Sequence, residues 1–141
     1  MCILLHVTNS KSIQVSPIDH ITLVVADVEA SRKFYVDLLG MNEVPRPAFS
    51  FPGDWFQSGA TQIHITLSDQ DSGLAGWADR KVAKTSRGHH FAFQVDDIDL
   101  AVEVLHEAGI EIVDGPKTRP DGPQQMYFYD PDGHLVELFA L

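Results

Sequence analysis

The feature that most constrains the fold is a repeat that divides the chain into two similar halves. His20 begins an alternating apolar segment, and His90 begins a second one 90 − 20 = 70 residues later. Each half ends in another alternating segment with a polar side chain inside it, His64 in the first and Glu137 in the second, 137 − 64 = 73 residues apart. A duplicated module with one metal-competent side chain at each of four equivalent positions predicts a single metal site on a pseudo-twofold axis.

Both halves have the same predicted order of elements: one strand, one helix and three strands. In the first half we predict strands near 18–25, 41–46, 53–58 and 61–68 and a helix near 28–39. In the second half we predict strands near 89–95, 110–114, 124–129 and 134–140 and a helix near 98–108. Gly40 and Gly109 are expected to end the two helices. The predicted fold class is therefore α+β, with two βαβββ modules in tandem.

The domain organisation follows from where the repeat begins and where it is interrupted. We predict an N-terminal arm over 1–17 and one domain over 18–141, made of modules 18–68 and 88–141. A loop over 69–87, rich in glycine and charge, joins the modules and is either a linker or a functional loop.

Composition excludes several classes of protein. A chain of 141 residues that is 44% hydrophobic can bury the core of one domain. No apolar run approaches the roughly 20 residues that cross a bilayer, and the short apolar run at 3–7 has no charged leader, so we expect a cytoplasmic protein. The single Cys2 rules out an internal disulfide. A net charge of −10 argues against a nucleic-acid partner.

Strand alternation predicts the direction of the candidate ligands. Alternate side chains of a strand point to opposite faces of a sheet, so His20, His64, His90 and Glu137 each point away from the apolar neighbours on their own strands. We expect the helices to cover the apolar faces and these four side chains to line a cup on the other faces. His134 falls in a predicted turn and is not expected to be a ligand.

Four motifs carry a resemblance to a known family. They are Asp19-His20-Ile21, the segment 34–40, the segment 90–97, and Asp130-Pro131-Asp132-Gly133 followed by Val136-Glu137-Leu138. Over about residues 18–141 the chain resembles the vicinal oxygen chelate superfamily, which includes glyoxalase I, methylmalonyl-CoA epimerase, extradiol dioxygenases, fosfomycin-resistance transferases and bleomycin-resistance proteins. The resemblance implies a curled mixed sheet around a divalent metal ion (Zn, Ni, Mn, Co or Fe) that chelates two adjacent oxygens of a substrate.

The resemblance also implies the ligand set His20, His64, His90 and Glu137. At His64 the chain departs from glyoxalase I, which has a Glu there, so Glu137 is left as the obvious catalytic base. Three imidazoles and one carboxylate leave a divalent ion with one net positive charge, which makes it a stronger Lewis acid. We therefore expect a lyase, isomerase or epimerase that transfers a proton through a metal-bound enediolate of a small carbonyl compound.

Two alternatives stay open at this point. An extradiol-type dioxygenase would use only His20, His90 and Glu137, the two-histidine, one-carboxylate set that leaves three coordination positions. A bleomycin-resistance-type protein would bind a small molecule without catalysis.

Five further side chains are expected to line the substrate pocket: Thr22, Arg46, Trp55, Gln94 and Tyr127. The expected partner is a small-molecule substrate, with no membrane involved and no cofactor besides the metal. A homodimer is also expected, since open sheets have edges that must be covered. Whether the ligands come from one chain or from two is left open by the sequence.

Overall fold

The computed structural model describes residues 11–77 and 85–141, and within them it confirms the βαβββ order in both halves. The first module contains β1 (His20–Val25), α1 (Val28–Arg32), which continues as a π-helical segment over Lys33–Leu38, β2 (Asn42–Val44), β3 (Gly53–Ser58) and β4 (Thr61–Leu67). The second contains β5 (His90–Gln94), α2 (Ile98–Glu107), β6 (Ile112–Thr118), β7 (Gln124–Tyr129) and β8 (Leu135–Ala140).

Each module forms one four-stranded mixed sheet. The strand orders are β1-β4-β3-β2 and β5-β8-β7-β6. In both sheets the first strand of the module runs parallel to the last, and the other pairs are antiparallel. The predicted α+β fold class is confirmed.

Equivalent residues begin and end the two helices. The Asp27 carboxylate accepts hydrogen bonds from the first turn of α1, and the Asp97 carboxylate does the same for α2, which satisfies backbone N–H groups that have no partner inside the helix. Gly40 and Gly109 follow the two helices with φ of 76° and 71°. These left-handed conformations suit glycine and end each helix as predicted.

One hydrophobic core serves both modules. It combines the apolar face of the first sheet, which includes Leu23, Val25, Phe56, Ile63 and Ile65, with that of the second, which includes Met126, Phe128, Val136 and Leu138. Aromatic rings from the first helix bridge the modules, because Phe34 and Tyr35 have centroids 6.0 and 6.5 Å from those of Phe128 and Phe91. The opposite face of each sheet, which we call the cup face, therefore points away from this shared core.

A buried polar clamp also joins the modules. Tyr35 Oη and His134 Nδ1 both donate to the same oxygen of Asp130, each at 2.7 Å. The backbone N–H of Ala26 donates to Asp132 Oδ1 at 3.0 Å. Because Tyr35 and Ala26 belong to the first module and the carboxylates to the second, these bonds help to fix the relative orientation of the modules.

The boundaries of two strands differ from the prediction. The strand predicted at 110–114 is β6 at Ile112–Thr118, and it continues through Gly115 and Pro116 because irregular register on either side of Asp114 accommodates them. The strand predicted at 41–46 is limited to Asn42–Val44.

The predicted arm and loop are described in part. Residues 1–10 of the arm and 78–84 of the loop lie outside the described residues, whereas 11–17 are exposed and lie in no strand. The loop begins with a turn in which Asp69 and Gly73 form an isolated bridge. Within the described ranges, no helix is long and apolar enough to span a membrane.

Candidate metal centre

Strand register places the candidate ligands at equivalent positions of the two modules, His20 with His90 and His64 with Glu137. Thr22 on β1 is paired with His64 on β4, and Ala92 on β5 is paired with Glu137 on β8. In both modules the paired residue of the first strand lies two positions after the histidine that begins that strand. The sequence repeat is thus preserved residue by residue in the sheets.

His20 and His90 are oriented alike by short hydrogen bonds to preceding residues. His20 Nδ1 lies 2.8 Å from a carboxylate oxygen of Asp19, and His90 Nδ1 lies 2.8 Å from the carbonyl oxygen of Gly88. Both oxygens are acceptors, so Nδ1 is the donor in each ring and Nε2 takes no part in these bonds. This pattern, one nitrogen fixed by an oxygen and the other available, is usual for histidines that bind metals.

His64 is enclosed by aromatic rings. Its ring stacks on Trp55, with centroids 3.9 Å apart and 2° between the planes, and on His20, also at 3.9 Å. Burial lowers the pKa of His64, and the nearby charges of His20 and Arg46 lower it further against the opposing effect of Asp19. The imidazole is therefore kept neutral, which is the form that binds metals.

A chain of amide hydrogen bonds determines which nitrogen of His64 is available. Gln57 Nε2 donates to the carbonyl oxygen of Gly59 at 2.8 Å, so Gln57 Oε1 faces Gln62 and accepts from its Nε2 at 3.1 Å. Gln62 Oε1 then lies 2.8 Å from His64 Nε2, which must be the donor. Nδ1 is thus the available nitrogen of His64, unlike in His20 and His90. The sequence did not predict this difference, although strand parity places Gln62 on the cup face.

Glu137 is held by a tyrosine on the neighbouring strand. Tyr127 is directly opposite Glu137 in the sheet, and its Oη donates to Glu137 Oε1 at 2.5 Å. Burial and this bond raise the pKa of Tyr127 to about 12, so the phenol stays a donor. The ring of His90 meets Tyr127 edge-on, with centroids 5.5 Å apart.

The structure brings the four predicted ligands together in pairs. His20 stacks on His64, and His90 and Glu137 both contact Tyr127. Among the residues that the structure describes, no three of the four have ligand atoms within 4.8 Å of one another in a single chain. The two pairs lie on different cup faces.

A group that does meet this distance criterion is Asp130, Asp132 and His134, and all three are buried. It belongs to the clamp between the modules, where its carboxylates already accept hydrogen bonds from the protein. We interpret it as structural, and the expectation that His134 is not a ligand stays a prediction. The sequence signal for it was the Asp-Pro-Asp-Gly turn, which predicts a turn but not burial.

Four of the five predicted pocket residues lie near the candidate ligands, and one lines a separate cavity. Thr22 and Trp55 lie beside His64, and Tyr127 bonds to the other half of the candidate site. The charge of Arg46 contributes to the lowered pKa of His64, in the first half of the candidate site. Gln94, by contrast, is exposed and lines a cavity of about 320 Å³ between the end of the first helix and α2.

Two tandem βαβββ modules with metal-competent side chains at equivalent strand positions define a class of proteins. In this class, a duplicated module supplies the side chains that can chelate a metal ion. Within that class, the chain belongs to the Glyoxalase/Bleomycin resistance protein/Dioxygenase superfamily, whose profile matches residues 17–138. The chain is 29% identical over 130 residues to lactoylglutathione lyase of Haemophilus influenzae, covering 84% of this chain and 88% of that protein. It is 27% identical over 130 residues to the metallothiol transferase FosB of Staphylococcus epidermidis, covering 89% and 82%.

A solved structure supports the same assignment. The crystal structure of a glyoxalase/dioxygenase from Nostoc punctiforme matches with a TM-score of 0.73 and 30% identity, and the match covers 93% of this chain and 98% of that one.

Proposed function

We propose that this protein is a divalent-metal-dependent lyase or isomerase of glyoxalase type that moves a proton on a small carbonyl compound. The observation that carries the proposal is the matched orientation of His20 and His90, each with Nδ1 held by an oxygen and Nε2 available. In this proposal His20, His64, His90 and Glu137 hold the ion. The named relatives act in different reactions, so the reaction type rests on the residues of this chain.

The donor set fits a divalent ion. Imidazole nitrogens and a carboxylate are the ligands that zinc and similar metals take, and Glu137 is one of few buried carboxylates in the described residues. When bound, the ion would polarise the carbonyl group of the substrate.

Glu137 is the proposed base. Tyr127 occupies one of its carboxylate oxygens, and among the described residues no hydrogen bond is made to the other. Oε1 has a second lone pair that would hold the ion. The other oxygen can then accept the proton from the carbon beside the carbonyl and return it at the neighbouring position, provided that it lies within hydrogen-bond reach of the substrate. Tyr127 fixes the carboxylate during both transfers.

We further propose that the site is completed in a homodimer. Both cup faces point away from the shared core, and the edge strands β1 and β5 expose their cup-face side chains. Ile13, Val15 and Ile18, just before β1, are 91%, 89% and 82% exposed, as expected for apolar residues that a second copy covers. The first module of one chain would then face the second module of its partner.

Mixing two defective chains tests this arrangement. His20→Ala and Glu137→Gln should each abolish metal binding alone. If the sites form between chains, a mixed dimer regains one intact site, because one chain supplies His20 and the other Glu137. No recovery after unfolding and refolding the mixture would place all ligands within one chain and contradict the proposal.

A second candidate function, an extradiol-type dioxygenase, is favoured by one observation. His64 can offer only Nδ1, whereas His20 and His90 both offer Nε2, and this difference favours an ion held by His20, His90 and Glu137 without His64. His64→Ala separates the candidates: weaker metal binding supports four ligands, whereas unchanged affinity supports three. Oxygen consumption with catechols would then support the dioxygenase. A pure binding protein would show neither turnover nor bound metal.

His64→Glu gives a sharper test of the glyoxalase assignment, because it restores the second carboxylate. Activity of this variant on the hemithioacetal of methylglyoxal and glutathione would place the pocket close to that of glyoxalase I. With correct metal loading, inactivity of both the natural protein and the variant would remove that substrate. The small-molecule substrate and the cytoplasmic location stay predictions from the sequence.

A further inference from the structure

The repeat contains a second pair of equivalent residues that the proposed chemistry does not use. Arg46-Pro47 precedes β3, and Arg119-Pro120 precedes β7. The offset is 119 − 46 = 73 residues, the same as between the second pair of candidate ligands. The two arginines therefore occupy corresponding loops of the two modules, and their surroundings can be compared directly.

The two guanidinium groups differ in how their charge is compensated. Arg119 donates through Nε and Nη2 to the two carboxylate oxygens of Asp121, at 2.9 and 2.5 Å. No carboxylate in the ranges 11–77 and 85–141 lies within 4.0 Å of Arg46. The chain as a whole is acidic, with 20 acidic and 10 basic residues. Among the described residues, the positive charge of Arg46 therefore has no acidic partner, whereas Asp121 neutralises that of Arg119.

Arg46 is also held in one position. Its Nη2 donates to the carbonyl oxygen of Phe51 at 2.9 Å, and its guanidinium carbon lies 4.9 Å from the ring centroids of both Phe49 and Phe51. A Cβ added at Gly53 would lie 3.0 Å from Nη2, so the guanidinium covers this glycine. Within the described ranges, one of the five N–H donors of Arg46 makes a hydrogen bond, and the others are available on a group that is already held in place.

Aromatic contacts connect this arginine to the candidate metal centre. The Phe49 ring is 6.4 Å from that of Trp55, which stacks on His64 at 3.9 Å. Gly53 and Trp55 are two residues apart on β3 and share one face of the sheet. Arg46 therefore lies at the margin of the cup.

We propose that Arg46 is a specificity-determining residue that selects substrates with an oxyanion, a carboxylate or a phosphonate, next to the carbonyl group. The fork of N–H groups matches the two oxygens of such an anion, and charge-assisted bonds of this kind are about twice as strong as neutral ones. A neutral substrate would leave the guanidinium without an anionic partner among the described residues. This inference deepens the proposed function, because the position of the carbonyl group rests on the metal centre.

Three matched probes test the proposal by binding alone: pyruvate, its neutral counterpart pyruvamide, and acetylphosphonate. Binding is followed by the quenching of tryptophan fluorescence, and Trp77→Phe assigns the signal to Trp55. We expect the natural protein to prefer pyruvate to pyruvamide by about tenfold or more. Tighter binding of acetylphosphonate than of pyruvate would identify a phosphonate as the better anion, and the reverse order a carboxylate; both support an oxyanion subsite.

The variants separate a specific role from a general effect of charge. Arg46→Gln should reduce the preference to below about twofold, and Arg46→Lys should retain part of it because it keeps the charge but loses the fork. Arg119→Gln removes the same charge from the equivalent loop and should retain the full preference. If pyruvamide binds the natural protein as well as pyruvate does, or if Arg46→Gln keeps the preference in a folded protein, the proposal is wrong.

The metal content of the protein distinguishes a failure of the Arg46 proposal from a failure of the proposed metal centre. A natural protein that holds metal but shows no anion preference would contradict only the role of Arg46. A protein that holds no metal would contradict the metal centre, while the anion preference can still be measured without metal. Circular dichroism confirms folding, and Arg46→Lys carries the test if Arg46→Gln does not fold.

Discussion

Replacing Asp130 with Ala should show how much the buried clamp contributes to the stability of the protein. The carboxylate accepts four hydrogen bonds of 2.7–2.9 Å, from Tyr35 Oη, from the side chain and backbone of His134, and from the backbone of Asp132. A buried donor left unpaired costs about 1–3 kcal/mol, so the four together predict a loss of about 4 kcal/mol or more. That is a large part of the roughly 5–15 kcal/mol that stabilises a typical native protein.

Urea unfolding, followed by circular dichroism and tryptophan fluorescence, measures this loss. Tyr35→Phe removes one of the four donors and should cost about 1 kcal/mol. Tyr129→Phe is the matched control, because Tyr129 lies outside the clamp. A loss below about 1 kcal/mol for Asp130→Ala would contradict this prediction, since it would mean that the four donors find other partners.

Three further predictions follow from single contacts. Gly53→Ala should destabilise the protein by about 2 kcal/mol, because the new Cβ would clash with the carbonyl oxygen of Ile65, and urea unfolding measures the loss. Tyr127→Phe frees Glu137 and should lower metal affinity by about tenfold to a hundredfold, as measured by calorimetric titration. Burial and Asp130 raise the pKa of Tyr35, so the stability due to its neutral form is complete below about pH 10 and lost as the pH rises further. Ultraviolet absorbance should show Tyr35 ionising only as the protein unfolds in alkali.

Much of the fold was predictable because the same sequence signals for helix ends occur in both modules. Helix caps recur at Asp27 and Asp97, and helix ends recur at Gly40 and Gly109. The predicted elements of one half therefore supported those of the other. The length of β6 was not predictable, since Gly115 and Pro116 ordinarily argue against a strand and are tolerated only through irregular register.

The face of the sheet on which each candidate ligand lies was predictable, but its contacts were not. Period-two alternation places His64 on the cup face, yet it does not reveal that Gln62 engages Nε2 through an amide chain ending at Gly59. That chain depends on a hairpin turn and on side-chain rotamers, which leave no periodic signal. The burial of Asp130 likewise depends on packing between modules, which the pattern of one module cannot show.

His20, His90 and Glu137, with His64, are proposed to form one metal centre per chain. The most direct test is the metal content of protein purified without chelator, measured in the natural chain and in Glu137→Gln. We predict one divalent ion per chain in the natural protein and loss of that ion in the variant, with the fold retained. A natural protein without metal, or a Glu137→Gln variant that keeps a full complement, would contradict the account.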